Sequence, residues 1–245
     1  MLRRILPPGV VVHEMFDDPD GIELHPGEAE LIAHAVDARR REFTTVRHCA
    51  RAALRELGQP PIPVLPDAHG APRWPASVVG SLTHCAGYRA AALARAGDIL
   101  MIGIDAEPHG PLPAGVADSI ALPGELARLA AARRARPGLH TDRLLFSAKE
   151  AVYKSWYTYG GQRLEFEDAD ITFAYEDGAA GRAIGTFTAR LRAPRPVRPD
   201  RTPYDTLRGR WLIQDGLLVT AIAVVPPAGG RHSGPVGIPL GGSRP

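Results

Sequence analysis

The chain has 245 residues, 44% hydrophobic and 23% charged, with 29 Lys and Arg against 27 Asp and Glu. That balance excludes a general nucleic-acid binder, which needs a strong basic excess. Two cysteines exclude a disulfide scaffold, and no apolar run approaches the roughly 20 residues of a membrane span. The N-terminal stretch "MLRRILPPGVVVHEM" is broken by Pro7 and Pro8 and makes a poor signal peptide, so a cytoplasmic protein is expected.

Residues 28 to 57 carry a helical pattern, with a break expected near Phe43, Thr44 and Thr45 and a stop at Gly58, Pro60 and Pro61. Residues 62 to 80 are proline-rich and predict a loop. "SVVGSLTHCAGYRAAALAR" turns at Gly87 and predicts a strand or hairpin leading to a strand over 99–105. Pro108, Pro111 and Pro113 mark the expected boundary between an N-terminal half, 1–110, and a C-terminal half, 111–225. Residues 119 to 160 are again largely helical, and 169–192 and 207–225 predict strands. Each half therefore reads as helices and an antiparallel strand set, an α+β chain of two similar α/β halves. From Pro226 to Pro245, five prolines and six glycines in 20 residues predict a disordered tail.

"GIDAEPHGP", following the apolar run Ile99–Ile102, raises the first chemical question. Asp105 and Glu107 stand two apart on a strand, so both side chains point to one face, about 6.7 Å apart along the backbone. Two carboxylates so placed repel each other unless a cation sits between them. The helix of "TDRLLFSAKEAVYKSWYTYGG" places Leu144, Leu145, Ala148, Val152, Ser155, Trp156 and Tyr159 on one side, its core face. The other side carries Phe146, Glu150, Tyr153, Lys154 and Tyr157, with Lys149 adjacent. Glu150 and Lys154 by themselves are an i,i+4 surface pair worth about 0.3–0.5 kcal/mol. Three aromatic rings sharing that face indicate instead a face that something covers.

Asp105, Glu107 and Glu150 together offer three hard oxygen ligands with no competing Cys/His cluster, which favours Mg²⁺ over zinc or copper. Mg²⁺ draws remaining ligands from substrate phosphates, which makes a pyrophosphate or nucleotide the expected substrate, held by Lys149 and Lys154. Arg39, Arg40, Arg41, Arg47, Arg51 and Arg55 fall within one short stretch. They are either a solvated helix face or an anion site gripping phosphates. His84 is either a core histidine bonded to backbone or a phosphate donor. "GSLTHC" is not a nucleophile elbow, and a zinc site from the two His-Cys pairs is weak.

"VVGSLTHCAGYRAA", "GIDAEPH" and "FSAKEAVYKSWY", with "RRREFTTVRHCARAAL" upstream, resemble the 4′-phosphopantetheinyl transferases of the two-halved Sfp type. The likeness is greatest to the enterobactin-synthase-component branch and its actinobacterial members, and it runs from about residue 15 to 225. It implies two α+β halves related by a pseudo-twofold, with the active site between them. It implies transfer of the 4′-phosphopantetheine of coenzyme A to a serine of apo acyl or peptidyl carrier proteins, releasing 3′,5′-ADP, for polyketide, non-ribosomal peptide or fatty-acid synthases. Asp105, Glu107 and Glu150 would hold Mg²⁺, with Mn²⁺ as an alternative. Glu150 would also act as general base, and Lys154 and Lys149 would neutralise the pyrophosphate. Arg39, Arg40, Arg47, Thr83 and His84 would bind the coenzyme phosphates. A monomer is expected, with no nucleic-acid or membrane partner. Two departures stand out: Phe146 occupies a position that is tryptophan in Sfp itself, and "LPDAHGAPRWP" lacks the lysines that relatives often place in that loop, with Arg73 as a substitute.

Overall fold

The apolar run before Asp105 forms strand β4 (Met101–Pro108), and its neighbour lies more than a hundred residues downstream. The computed structural model describes residues 1–176, 182–192 and 204–226. The tail expectation, from residue 227 on, lies outside the described residues. Strands β1 (Val11–Met15), β2 (Val78–Cys85) and β3 (Tyr88–Arg95) form an antiparallel sheet of order β1-β3-β2. β4 joins β5 (Ala169–Glu176), β6 (Arg182–Leu191), β7 (Thr206–Gln214) and β8 (Leu217–Val224) in a second sheet of order β4-β8-β7-β6-β5. The expected division at residue 110 is crossed by this pairing, because β4, upstream of the prolines, adds to the sheet of the C-terminal strands.

The helices are α1 (Pro26–Leu31), α2 (Asp37–Glu56), α3 (Val116–Ile120), α4 (Pro123–Ala135) and α5 (Thr141–Gly160). The break expected near Phe43–Thr45 does not occur. Thr44 and Thr45 donate their hydroxyls to the carbonyls of Arg40 and Arg41, one turn back, and Phe43 is buried, so the helix runs on. The interruption falls earlier, between Leu31 and Asp37. α5 ends at Gly160, capped by Gly161 at φ 65°.

Strand alternation sorts the core. Ala91 and Leu93 of β3 pack beneath α2 with Cys49, Ala53 and Leu54. Ala90, Ala92 and Ala94 of the same strand cluster with Ile102 and Ile104 of β4 and Val219 of β8. Met101 belongs to a third cluster with Leu144, Val152 and Trp156 of α5 and Trp211 of β7. Each such large apolar side chain, fully buried, contributes about 1.5–3 kcal/mol. Even-numbered residues of β4 thus face the first sheet, and odd-numbered ones face α5.

Gly103 makes that second contact close: a Cβ there would lie 2.0 Å from the Ala151 carbonyl oxygen and 2.7 Å from the Ser155 nitrogen. Thr220 of β8, opposite Asp105, donates to the Ser147 carbonyl at 2.9 Å and fixes the helix along the sheet. The two sheets are also tied edge to edge, where the Ile104 amide donates to Ser81 Oγ at 3.1 Å. No helix among the described residues is long and apolar enough to cross a membrane.

Candidate active site

The face of β4 that meets α5 carries Asp105 and Glu107, as alternation requires. Asp105 is 5% exposed, and its Oδ1 accepts from Lys154 Nζ at 2.7 Å and from Thr83 Oγ1 at 3.5 Å. Its Oδ2 is buried and has no hydrogen-bond partner. Glu107 accepts from Arg143, from the first turn of α5, at 2.8 Å. Burial, then the charge of Asp105, holds Glu107 above the usual carboxylate range, against the pull of Arg143 and Lys154. Burial likewise pushes Glu150 up, opposed by Lys154 and reinforced by Asp105. Glu150 has no hydrogen-bond partner among the described residues.

Asp105 is therefore the common neighbour of the other two carboxylates. Among the described residues, no three His, Cys, Asp or Glu side chains already form a metal cage. Glu107 is turned to Arg143, and Asp105 shares one oxygen with Lys154. The donor chemistry still suits a hard divalent cation: the set is all oxygen, one buried oxygen lacks a partner, and two carboxylates are raised by burial and by the charge of Asp105.

Beside Asp105 opens a cleft of about 590 Å³ between α2, β2, the 66–72 loop and α5. α2 contributes Arg39 and Arg47 to its lining, β2 Thr83 and His84, β4 Asp105 and α5 Lys154. Arg47 stacks 3.9 Å above the Phe43 ring and donates through Nε to the Val64 carbonyl at 3.3 Å. Its remaining nitrogens make no protein hydrogen bond among the described residues, and burial lowers the guanidinium to about 10. A cation so held is under-solvated, and an anion in the cleft would relieve it.

His84 accepts from Arg39 through Nε2, and its Nδ1 lies 3.6 Å from Glu42. Burial, then Arg39, lowers its pKa, so the ring is neutral at neutral pH. Glu42 also lies 3.5 Å from Arg89, which is paired in turn with Asp18 at 2.6 Å. A second cavity, of about 230 Å³, is lined by Lys149, Glu150, Tyr153, Leu164 and Phe166.

The family model of the 4′-phosphopantetheinyl transferase N-terminal domain matches residues 27–94, and that of the 4′-phosphopantetheinyl transferase superfamily matches 101–193. The chain is 51% identical over 223 residues to 4′-phosphopantetheinyl transferase Npt of Nocardia iowensis, covering 91% of this chain and 99% of that one. It is 51% identical to 4′-phosphopantetheinyl transferase Svp of Streptomyces mobaraensis, over 94% of this chain and 91% of that one. It is 48% identical to 4′-phosphopantetheinyl transferase PptT of Mycobacterium tuberculosis, over 86% and 90%. The chain belongs to the 4′-phosphopantetheinyl transferase superfamily.

Of the positions that the likeness to these transferases singled out, the structure brings Arg39, Arg47, Thr83, His84, Asp105 and Lys154 to one cleft, while Glu150 lines the smaller cavity, which shares Tyr153 with the cleft. Two do not fit the expected role. Lys149 is buried and ion-paired with Glu125 at 2.8 Å, and also donates to the carbonyls of Phe166 at 2.6 Å and Ala169 at 3.0 Å. All three ammonium protons are taken, so it holds α4, α5 and β5 together and has no donor left for a pyrophosphate. It borders the smaller cavity together with Glu150, but with its protons already spent. Arg40 points away from the cleft and donates to the carbonyls of Ile32 and Ala33 at 3.2 Å, closing the end of α1.

Arg51, on the same stripe as Arg47, is likewise structural, held by buried Glu28 at 2.6 Å. Arg143 and Glu42 were not among the expected residues. Arg143 stands four residues before Ser147 on the helix, and only the long-range packing of α5 on β4 brings it to Glu107.

Proposed function

We propose that this protein transfers the 4′-phosphopantetheine group of coenzyme A to a serine hydroxyl of an apo acyl or peptidyl carrier domain, releasing 3′,5′-ADP. This is a holo-carrier-protein synthase activity serving polyketide, non-ribosomal peptide or fatty-acid assembly. Family membership supports the reaction class. The observation that carries the reading at the level of residues is the meeting of unlike groups in one cleft. Its lining holds the under-solvated Arg47 together with Asp105, whose Oδ2 is unpartnered while Oδ1 accepts from Lys154.

In this reading Arg39, Arg47 and His84 bind the phosphates of the nucleotide end, and Thr83 steadies Asp105. The pantetheine arm leaves the cleft past Glu150 into the smaller cavity lined by Tyr153, Leu164 and Phe166. The serine oxygen bonds to the β-phosphorus as the bond from that phosphorus to the bridging oxygen breaks. Glu150 takes the hydroxyl proton, a carboxylate whose pKa is raised by burial and is better matched to that task than an exposed one. Lys154 places positive charge beside Asp105, where the negative charge of the departing ADP develops.

Asp105, Glu107 and Glu150 would hold Mg²⁺ or Mn²⁺. When bound, the ion supplies Lewis-acid neutralisation of the diphosphate. The chain supplies the whole lining of the cleft, which supports a monomer.

The test is intact-protein mass spectrometry of an apo carrier incubated with this protein, coenzyme A and Mg²⁺, with and without chelator. Addition of one phosphopantetheine group, abolished by chelator, is expected. Binding of coenzyme A without that gain, or phosphate release from simple nucleotides without a carrier, would sink the proposal.

A further inference from the structure

The loop that departs from the lysine-bearing pattern of relatives is itself a built element. Asp67 organises it: the amide of Asp67 donates to the Ala71 carbonyl at 2.8 Å, and its Oδ1 accepts the amides of His69 at 2.8 Å and Ala71 at 3.0 Å. Pro66 and Pro72 bridge its base as antiparallel partners. The second carboxylate oxygen reaches outward and accepts from the Tyr157 hydroxyl on α5 at 2.8 Å. His69 meets the edge of the Tyr157 ring at 6.0 Å between centroids, and Tyr153 stacks on its other side at 5.9 Å. Both partners line the same cleft as Arg47 and Asp105. The bond joins residues 90 apart in sequence, one within each of the two matched family regions.

We infer that the Asp67–Tyr157 hydrogen bond is a clasp that holds the 66–72 loop across the mouth of the cleft, making Asp67 and Tyr157 positioning residues for the nucleotide end of coenzyme A. The inference rests on the proposed function of that cleft. With the clasp made, the loop is held against α5 before substrate arrives, and the ordering cost of binding falls. With it broken, only a fraction of molecules present the closed wall, and apparent affinity drops by that fraction. The chemistry at Glu150 lies beyond the Tyr153 ring and does not touch the clasp. Tyr157 also keeps its proton more tightly than an ordinary tyrosine, because the Asp67 carboxylate accepts it.

Tyr157→Phe removes the hydroxyl and keeps the ring, and Asp67→Ala removes the acceptor from an exposed loop. Each is expected to weaken 3′,5′-ADP binding by calorimetry, and to raise KM for coenzyme A, about five- to tenfold. The fall in kcat is expected to stay under about twofold, and KM for the carrier is expected to hold. The double variant should lose no more than Asp67→Ala alone, since the one bond Tyr157→Phe removes is among those Asp67→Ala already removes. Unchanged affinity in both singles, additive losses in the double, or a loss confined to kcat would each overturn the clasp. If the wild-type protein neither binds 3′,5′-ADP nor modifies a carrier, the function proposed above fails instead. A Tyr157→Phe protein that no longer folds would also overturn it, because the hydroxyl would then be supporting the core and not the loop.

Discussion

Glu150 and Lys149 are neighbours in sequence and opposites in environment. Glu150 has no hydrogen-bond partner among the described residues, while Lys149 has three partners, each within 3.0 Å. Glu150→Gln is expected to cut carrier modification by about 10²–10⁴-fold, the range of a lost general base, with the fold intact by circular dichroism. Lys149→Met is expected to act through stability, because it strands the 1%-exposed Glu125 carboxylate. A loss of about 3–5 kcal/mol, and a fall in Tm of roughly 10 °C or more, is the scale for one partner of a buried pair. Lys149→Met with Glu125→Gln should recover much of that loss in thermal denaturation. If Lys149→Met instead melts like the wild type and loses only activity, the pyrophosphate role returns.

His84 adds a pH dependence whose sign follows from its lowered pKa. A histidine harder to protonate folded than unfolded contributes stability above about pH 6.5, lost as pH falls through the folded value. Bound phosphates reverse the local balance and favour the imidazolium. Binding of 3′,5′-ADP near pH 6 should therefore take up protons, read by calorimetry in buffers of different ionisation enthalpy. The uptake should vanish in His84→Gln.

At the scale of elements, the contact that matters is β4 on α5. The missing side chain of Gly103 lets the helix approach until a Cβ would sit 2.0 Å from the Ala151 carbonyl. Gly103→Ala must push α5 outward and carry Lys154 and Glu150 away from Asp105. Overpacking of this kind costs about 1–3 kcal/mol or more. The expected result is a Tm lowered by several degrees together with a larger proportional loss of transfer, because a shift of about 1 Å at a reacting centre costs on the order of 10²-fold. A variant with lowered Tm and full activity at low temperature would show that the spacing does not set the site.

Elements were largely legible from residue patterns: the Gly87 turn, the helical stretch ending at Gly160, and the alternation that put Asp105 and Glu107 on one face all appear. The continuity of α2 through Thr44 and Thr45 was not, because β-branched residues read as weak helix formers until their hydroxyls find carbonyls one turn back.

For the whole molecule, what the residues could not show was partnership. A strand's pattern fixes which side chains share a face but not which distant strand it pairs with, and β4 pairs with β8 instead of completing the first sheet. The same limit hid Arg143 and made Lys149 and Arg40 look like phosphate ligands, since a charged side chain shows its partner only after the chain has folded. That Asp105 and Glu107 share a face was legible, because alternation fixes it whichever strand pairs with theirs. Hydrogen bonding gives the expected outcome for chain scission. Fragments 1–97 and 98–245, co-expressed, keep each sheet's strands in one piece and should restore more transfer activity than 1–110 with 111–245, which strips β4 from its sheet. Equal recovery from both cuts would favour the boundary at the prolines.

The cleft's mixture of cations and a carboxylate also bears on how small molecules could block it. A compound resting on Arg39, Arg47 and His84 alone would compete with coenzyme A and be indifferent to divalent-ion concentration. One that extends to Asp105 would tighten as the ion is added. Screening at two ion concentrations would sort inhibitors by the groups they contact before any is crystallised.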